Sequence, residues 1–177
     1  DLLESRGLGD VYKRQLAAIA GREEIMRHFD KSAVGEEGFT FQTGTLSGNP
    51  LASIAGLKTL EILRRPGAYE TLYANGKRLM AAMSGPLTAH GIPHQIVGSP
   101  VLFDVVFTGD PVRDYRDMMK SDVDSAAIFN AAVREKGILK PGAKLYPHLA
   151  LTEEDLQQTE AAFAYAAAQV AAKGNAA

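Results

Sequence analysis

The spacing of apolar and polar residues predicts helices in the first third of the chain. Residues 22–29 have the pattern of a short amphipathic helix, and residues 30–47, rich in glycine and polar side chains, predict a loop. A stronger helical pattern begins at Pro50 and continues to about residue 63. Asn49 before it is a favoured N-cap residue, and proline suits the first helical position. The loop therefore leads directly into a helix N-terminus.

A second helical pattern is followed by two strand patterns. Residues 68–89 predict a helix that Gly91 closes with a left-handed C-cap. Residues 94–97 and 101–107 predict strands joined by a turn at 98–100. The helix is expected to contribute four residues to the core: Leu72, Leu79, Met83 and Leu87.

The last part of the chain predicts two more helices and two short strands. Residues 124–136 and a stretch from Thr152 to about residue 172 are helical, with strand candidates at 138–140 and 144–146. Thr152 and Asp155 have the spacing of a capping box. Asp104 is expected to face the solvent side of its strand. The order of elements predicts an α+β fold, with helices packed on one face of a small antiparallel or mixed sheet.

Composition limits the classes of protein that fit. The 177 residues are 46% hydrophobic and 23% charged, with a net charge of −2, which is typical of a globular protein. There is no basic stripe or apolar run of about 20 residues, so we expect no nucleic-acid partner and no membrane partner. The chain has no cysteine, which excludes disulfides and thiolate chemistry. A cytoplasmic protein is the simplest expectation.

The first fifteen residues do not match the rest of the chain. The stretch from Asp10 to Gln15 reads like a translated sequencing adapter, and we expect residues 1–15 to be a non-native leader. The natural sequence is then expected to begin near Leu16.

Candidate chemistry concentrates in residues 41–50. Gly44 and Gly48 permit close approach to the backbone, hydroxyl groups lie beside them, and the helix N-terminus that follows favours anions. These features suggest a phosphate-binding loop, although a capped loop without a ligand has the same local chemistry. The four histidines lack metal-like spacing, so no metal site is expected.

An ordered series of motifs resembles one enzyme family. The series comprises Ala20-Gly21-Arg22-Glu23-Glu24-Ile25-Met26, residues 42–50, Gly109-Asp110-Pro111-Val112-Arg113, Lys120-Ser121-Asp122 and residues 149–155. It resembles the C-terminal third of the class III (ornithine-type) pyridoxal-phosphate aminotransferases, most of all the glutamate-1-semialdehyde aminomutase group. The resemblance covers about residues 16–170.

The resemblance implies a fold and a cofactor. In a fold type I enzyme, residues 16–65 would end the large domain, and residues 66–177 would form a long helix and the small C-terminal α+β domain. The active sites would lie at a homodimer interface. Gly44 and Thr45 would contact the phosphate of pyridoxal 5'-phosphate in the partner subunit, and the substrate would be a small amino or keto acid.

The resemblance also implies that reactive parts lie outside this chain. The lysine that forms a Schiff base with the cofactor would fall near Leu8, within the leader, and Lys13 has the wrong spacing to replace it. The chain is therefore expected to hold no catalytic residue and to be inactive alone. Lys144 stands where the family often has a substrate-binding arginine; it is either a carboxylate contact or a solvated lysine on an edge strand.

Three functions remain open. The first is an aminomutase-like enzyme, which moves an amino group within one substrate in porphyrin precursor synthesis. The second is an intermolecular class III transaminase of the ω-amino acid type. The third is a non-catalytic α+β interaction module, which would form a stable, monodisperse fragment without large exposed apolar surfaces.

Overall fold

The structure is a computed structural model that describes residues 20–41, 44, 48–142 and 144–174. It divides between Arg65 and Pro66 into two compact units, Asp1–Arg65 and Pro66–Ala177. The assignment of these stretches to a large and a small enzyme domain stays a prediction, as does the non-native leader, which lies outside the described residues.

The first unit is helical in its described part. Helix α1 (Glu23–Met26) runs into a 3-10 turn (Arg27–Phe29), followed by α2 (Lys31–Gly38) and α3 (Pro50–Leu63). Helix α2 lies where the sequence predicts a loop, so that prediction is wrong for residues 31–38, although Gly35, with a φ of 73°, interrupts the helix. Asp30 explains the difference, because its carboxylate accepts from the N–H and the hydroxyl of Ser32 at 2.9 and 2.6 Å and caps the helix.

Helix α3 begins as its sequence predicts. The Asn49 side chain accepts from the N–H of Leu51 at 3.0 Å and of Ala52 at 3.4 Å, with Pro50 at the first turn. Ala52 is buried, whereas several large apolar side chains of α3 are exposed: Leu51, Ile54, Leu57 and Leu60.

The second unit begins with the long helix α4 (Ala68–Ala89), whose bounds agree with the sequence prediction. Gly91 follows it with a φ of 66°, as expected of a left-handed C-cap. Leu79, Met83 and Leu87 are buried, and Leu72 is half-buried. The core stripe of this helix is therefore mostly as predicted.

A β-hairpin follows α4. Strands β1 (Gln95–Ser99) and β2 (Leu102–Val106) pair antiparallel, with Ser99 opposite Leu102. The turn therefore lies at Pro100 and Val101 rather than at 98–100 as predicted. Of the two later strand candidates, residues 138–140 form no strand, and 144–146 contribute a single bridge from Leu145 to Phe103.

Three further helices complete the described second unit: α5 (Tyr115–Met118), α6 (Val123–Glu135) and α7 (Glu153–Gly174). The sequence prediction missed α5, whose N-terminus is capped by Asp114. Thr152 and Asp155 form the predicted capping box: the Asp155 carboxylate accepts from the Thr152 N–H at 2.8 Å, and the Thr152 hydroxyl accepts from the Asp155 N–H at 3.2 Å.

The core of the second unit lies between α4, α6, α7 and the hairpin. Helix α7 packs against both α4 and α6, and α4 contacts both strands. Phe129 and Phe163 stack with ring centroids 5.9 Å apart. Gly76 lets α4 approach the hairpin, because a Cβ there would lie 1.8 Å from the Pro100 carbonyl oxygen. The unit is an α+β fold with a two-stranded antiparallel sheet, as the sequence predicts.

Candidate cofactor and substrate site

The predicted phosphate loop is only partly described. Gly44 is exposed, and Gly48 has a φ of 71°, a conformation that favours glycine. Thr45 lies outside the described residues, together with residues 42, 43, 46 and 47. The prediction that Gly44 and Thr45 hold a phosphate therefore stays a prediction.

Hydrogen bonds at the start of α3 limit which backbone N–H groups could donate to a phosphate. The N–H groups of Leu51 and Ala52 donate to the Asn49 side chain, and that of Ser53 donates to the Asn49 carbonyl at 3.0 Å. These three donors are already engaged within the helix. The chemistry of the preceding loop still fits a phosphate, since the Thr45 hydroxyl and the glycine backbone are suitable hydrogen-bond donors.

Lys144 is exposed and lies in the segment between α6 and α7. The residue after it, Leu145, exchanges two backbone hydrogen bonds with Phe103 of β2. The Leu145 N–H donates at 2.8 Å and the Phe103 N–H at 3.2 Å. The segment is thus attached to the hairpin directly beside the residue predicted to bind the substrate.

A buried ion pair lies a few residues earlier in the same segment. The Lys140 side chain is 1% exposed, and its Nζ is 2.8 Å from Oδ1 of Asp104, whose side chain is 15% exposed. The expectation that Asp104 faces solvent is therefore wrong. Lys140 covers that face of β2 and supplies the counter-ion. The sequence shows only that each of the two charges stands beside apolar residues in its own stretch of chain, which does not by itself predict that they pair.

An open cleft of about 470 Å³ borders this segment. Its wall combines apolar side chains with a few polar groups, among them Leu79, Leu145, Leu151, Tyr146, His148 and Asp155. The hydrogen bonds that Asp155 accepts from the Thr152 backbone and hydroxyl hold the pKa of its carboxyl below the usual value. The Asp155 side chain is therefore an anion that helps to cap the N-terminus of α7 on one side of the cleft.

A network of charges joins α4 to α7. Arg78 donates from Nη1 and Nη2 to the two carboxylate oxygens of Glu153 at 2.6 and 2.8 Å, and from Nε to Glu160 at 2.5 Å. The hydrogen bonds from Arg78, and next the one from Gln157, lower the pKa of Glu153 to about 2. This fork-shaped pairing is a structural link between two helices.

Two of the four histidines have side-chain hydrogen-bond partners nearby in the chain. His94 Nε2 is 2.8 Å from the Ser84 hydroxyl, and its Nδ1 is 2.8 Å from the Ile92 carbonyl oxygen. His28 Nδ1 is 2.7 Å from the Gly38 carbonyl oxygen. Among the described residues, no three histidine or acidic side chains lie together in a way that could hold a metal ion. In the same part of the chain, no helix has the length and apolar character needed to cross a membrane.

Comparison with curated proteins finds a clear relative. The chain is 37% identical over 149 residues to glutamate-1-semialdehyde 2,1-aminomutase 2 of Brevibacillus brevis. The match covers 81% of this chain and 33% of the relative. The chain thus spans about a third of the length of the protein it matches. No family model matches the sequence.

Solved structures of similar fold are transaminases. An omega-transaminase from Sphaerobacter thermophilus matches with a TM-score of 0.74 and 26% identity, covering 85% of this chain and 34% of that one. A transaminase with PLP bound matches with a TM-score of 0.73 and 25% identity, covering 88% and 35%. These matches confirm the resemblance and the fold that the sequence motifs predict.

Proposed function

We propose that this chain forms the C-terminal part of a class III pyridoxal-phosphate aminotransferase. Enzymes of that class match it over most of its length. The observation that carries the proposal is the 37% identity to an aminomutase over 149 residues. The α+β fold of the second unit supports it, because transaminase structures superimpose on 85–88% of the chain.

The cofactor in this proposal is pyridoxal 5'-phosphate, which supplies the electron sink for amino transfer when it is bound. Gly44 and Thr45 would bind its phosphate in the partner subunit of a homodimer. The donors at the start of α3 are engaged by Asn49, so the loop itself must provide the contacts. A hydroxyl and backbone N–H groups can do so, since hydrogen bonds to a charged oxyanion are the stronger kind.

Lys144 is the proposed contact for a substrate carboxylate. It is exposed and lies next to the bridge between Leu145 and Phe103, and other residues of its segment, among them Pro141 and Leu145, line the cleft of about 470 Å³. Lysine offers a compact positive charge without the planar fork of arginine, so it would attract a carboxylate with less control over its orientation.

The reaction that we favour is an intramolecular amino transfer of the glutamate-1-semialdehyde aminomutase type, feeding porphyrin synthesis in the cytoplasm. The name of the relative at 37% identity supports it. The alternative is an intermolecular transamination, which the omega-transaminase among the structural neighbours supports.

Product analysis separates these two reactions. The longer protein that contains this chain is incubated with glutamate-1-semialdehyde or with an ω-amino acid, each with and without a keto acid acceptor. An aminomutase converts the semialdehyde without an acceptor, whereas a transaminase needs one. If the longer protein transfers no amino group under any of these conditions, the proposed function is wrong.

The 177-residue chain by itself is expected to be inactive, because the family resemblance places the lysine that carries the cofactor near Leu8, where this sequence has no lysine. Incubation with pyridoxal phosphate and an amino donor should give no keto product. Reductive trapping of the cofactor on Lys13, found by peptide mass spectrometry, would contradict this expectation.

A further inference from the structure

Lys140 is the one ionisable residue that is buried in the part of the chain that the structure describes. Its ammonium group has three N–H donors and three oxygen acceptors: Asp104 Oδ1 at 2.8 Å, Asn130 Oδ1 at 3.0 Å and the Pro141 carbonyl at 3.1 Å. The acceptors come from β2, from α6 and from the chain just after Lys140. A buried charge is tolerated when it is paired and fully hydrogen-bonded, and this one is.

The Asp104 carboxylate is also fixed by a hydrogen bond to the backbone. Its Oδ1 also accepts from the Val105 N–H at 2.8 Å, so the carboxylate is fixed to the backbone of β2. The position is set by the strand register, in which Asp104 lies opposite Val97. The lysine therefore meets an anion that is fixed on the paired strand β2.

The ion pair attaches one end of a short segment, and a backbone bridge attaches the other. At the first end, Lys140 binds β2 and α6, and the Asn130 amide donates to the Gly142 carbonyl at 3.3 Å. At the second end, Leu145 exchanges backbone hydrogen bonds with Phe103, the neighbour of Asp104. Lys144 stands between these two attachments. Its side chain is exposed.

Stability alone is a weak reason for such a pair. A buried ion pair replaced by well-packed apolar residues usually leaves a protein as stable or more stable. What apolar residues cannot reproduce is the directed set of bonds that joins β2, α6 and the Pro141 carbonyl at one point.

We propose that Lys140 and Asp104 form a positioning pair, which fixes residues 140–142, 144 and 145 on the hairpin and so holds Lys144 in place to bind a substrate carboxylate. The part that concerns the substrate rests on the function proposed above for Lys144. The part that concerns the segment rests on the contacts of Lys140 alone, and the two are tested separately.

The first test follows amide hydrogen exchange in the 177-residue chain. The reporters are the Leu145 and Phe103 N–H groups, which close the bridge. In Lys140→Met, exchange at both is expected to accelerate by at least about tenfold, while the α7 amides change little. The matched control is Lys173→Met, which removes a half-buried lysine 3.5 Å from Asp122 and should leave both reporters unchanged.

A second variant covers the case in which Lys140→Met does not fold. Lys140→Met with Asp104→Leu removes both charges, so no uncompensated charge stays buried. The reporters should still exchange about tenfold faster than in the wild type, because the directed bonds are gone. If the exchange rate at Leu145 returns to the wild-type value in this double variant, Lys140 and Asp104 only compensate each other's charge and do not fix the segment, and the proposal is overturned.

The second test measures kinetics in the longer enzyme. Lys140→Met should raise KM for the carboxylate substrate by about tenfold with kcat changed by less than about twofold, and Lys144→Met should do the same. The variant that combines Lys140→Met with Lys144→Met should have a KM no higher than that of either single variant, because both changes remove the same substrate contact. Additive effects on KM overturn the positioning role. If Lys144→Met leaves KM unchanged, the proposed substrate contact is wrong, whatever hydrogen exchange shows about the segment.

Discussion

The two units of the chain bury their apolar residues to very different degrees. The second unit has a dense core in which Phe129, Phe163 and Met83 are fully buried. In the described part of the first unit, Ala52 is the one buried apolar residue, and α3 exposes Leu51, Ile54, Leu57 and Leu60. Large exposed apolar side chains grouped on one helix are typical of a surface that packs against something else.

This contrast bears on the choice between an enzyme part and an independent module. A self-sufficient module is expected to cover its apolar surface, and the second unit does so. The described part of the first unit does not, which agrees with the proposal that residues 16–65 end a larger domain. The two units are therefore expected to respond differently to mutation.

The largest expected difference comes from truncating one apolar side chain in each unit. Phe163→Ala should lower the free energy of unfolding by about 3–5 kcal/mol, because it removes a buried ring stacked on Phe129 and leaves a cavity. Leu57→Ala in α3 should change it by less than about 0.5 kcal/mol, since that side chain is exposed. Urea unfolding followed by circular dichroism measures both. Similar losses in the two variants would mean that the first unit has a core of its own.

A smaller effect is expected where α4 meets the hairpin. Gly76→Ala places a methyl group against the Pro100 carbonyl and should cost about 1–3 kcal/mol through overpacking. The control is Gly85→Ala in the same helix, where a Cβ meets nothing within 4 Å. It should change stability by less than about 1 kcal/mol, because the gain in helix propensity is limited by Pro86 after it. Equal destabilisation by the two variants would contradict the close approach of helix and hairpin.

The smallest expected effect is the pH dependence of the Arg78 network. Arg78 lowers the pKa of Glu153 from 4.5 to about 2, so the pair stabilises the fold above pH 4.5 and loses this contribution as the pH falls towards 2. The gap in urea midpoint between the wild type and Arg78→Met should therefore shrink over that window. This difference in urea midpoint should also be small at every pH and should decrease with salt, because the Glu153 side chain is 61% exposed.

The Glu153→Gln background provides the control for the pH experiment. There the effect of Arg78→Met should vary less between pH 4.5 and 2, since residue 153 no longer titrates. A gap that widens towards low pH in the wild-type background would show that the sign assigned to Glu153 is wrong.

Local signals in the sequence were enough to locate most elements of the fold. Asn49-Pro50, Gly91 and the Thr152–Asp155 pair mark helix ends by their own backbone chemistry, and the structure has those ends. Helices α2 and α5 were missed because each is short and depends on an aspartate cap, Asp30 or Asp114, rather than on apolar periodicity.

Contacts between distant residues were not predictable in the same way. Alternation along β2 placed Asp104 towards solvent, and nothing local showed that Lys140, 36 positions later, would cover it. For the same reason, Leu145 joins the hairpin through one bridge instead of forming a strand. For the candidate site, the sequence named Gly44, Thr45 and Lys144. The roles proposed for them depend on a cofactor and, for Gly44 and Thr45, on a proposed partner subunit, so no pattern within this chain can establish them.

The most direct measurement of the central claim is the affinity of the longer protein for pyridoxal phosphate when Thr45 is changed. Thr45→Val keeps the size and shape of the side chain and removes its hydroxyl, and Thr40→Val, a few residues earlier, is the matched control. We predict that Thr45→Val raises Kd for the cofactor by about tenfold, the loss expected for one hydrogen bond to a charged group, while Thr40→Val leaves it unchanged. An unchanged Kd in Thr45→Val would contradict the claim that this loop binds the cofactor phosphate.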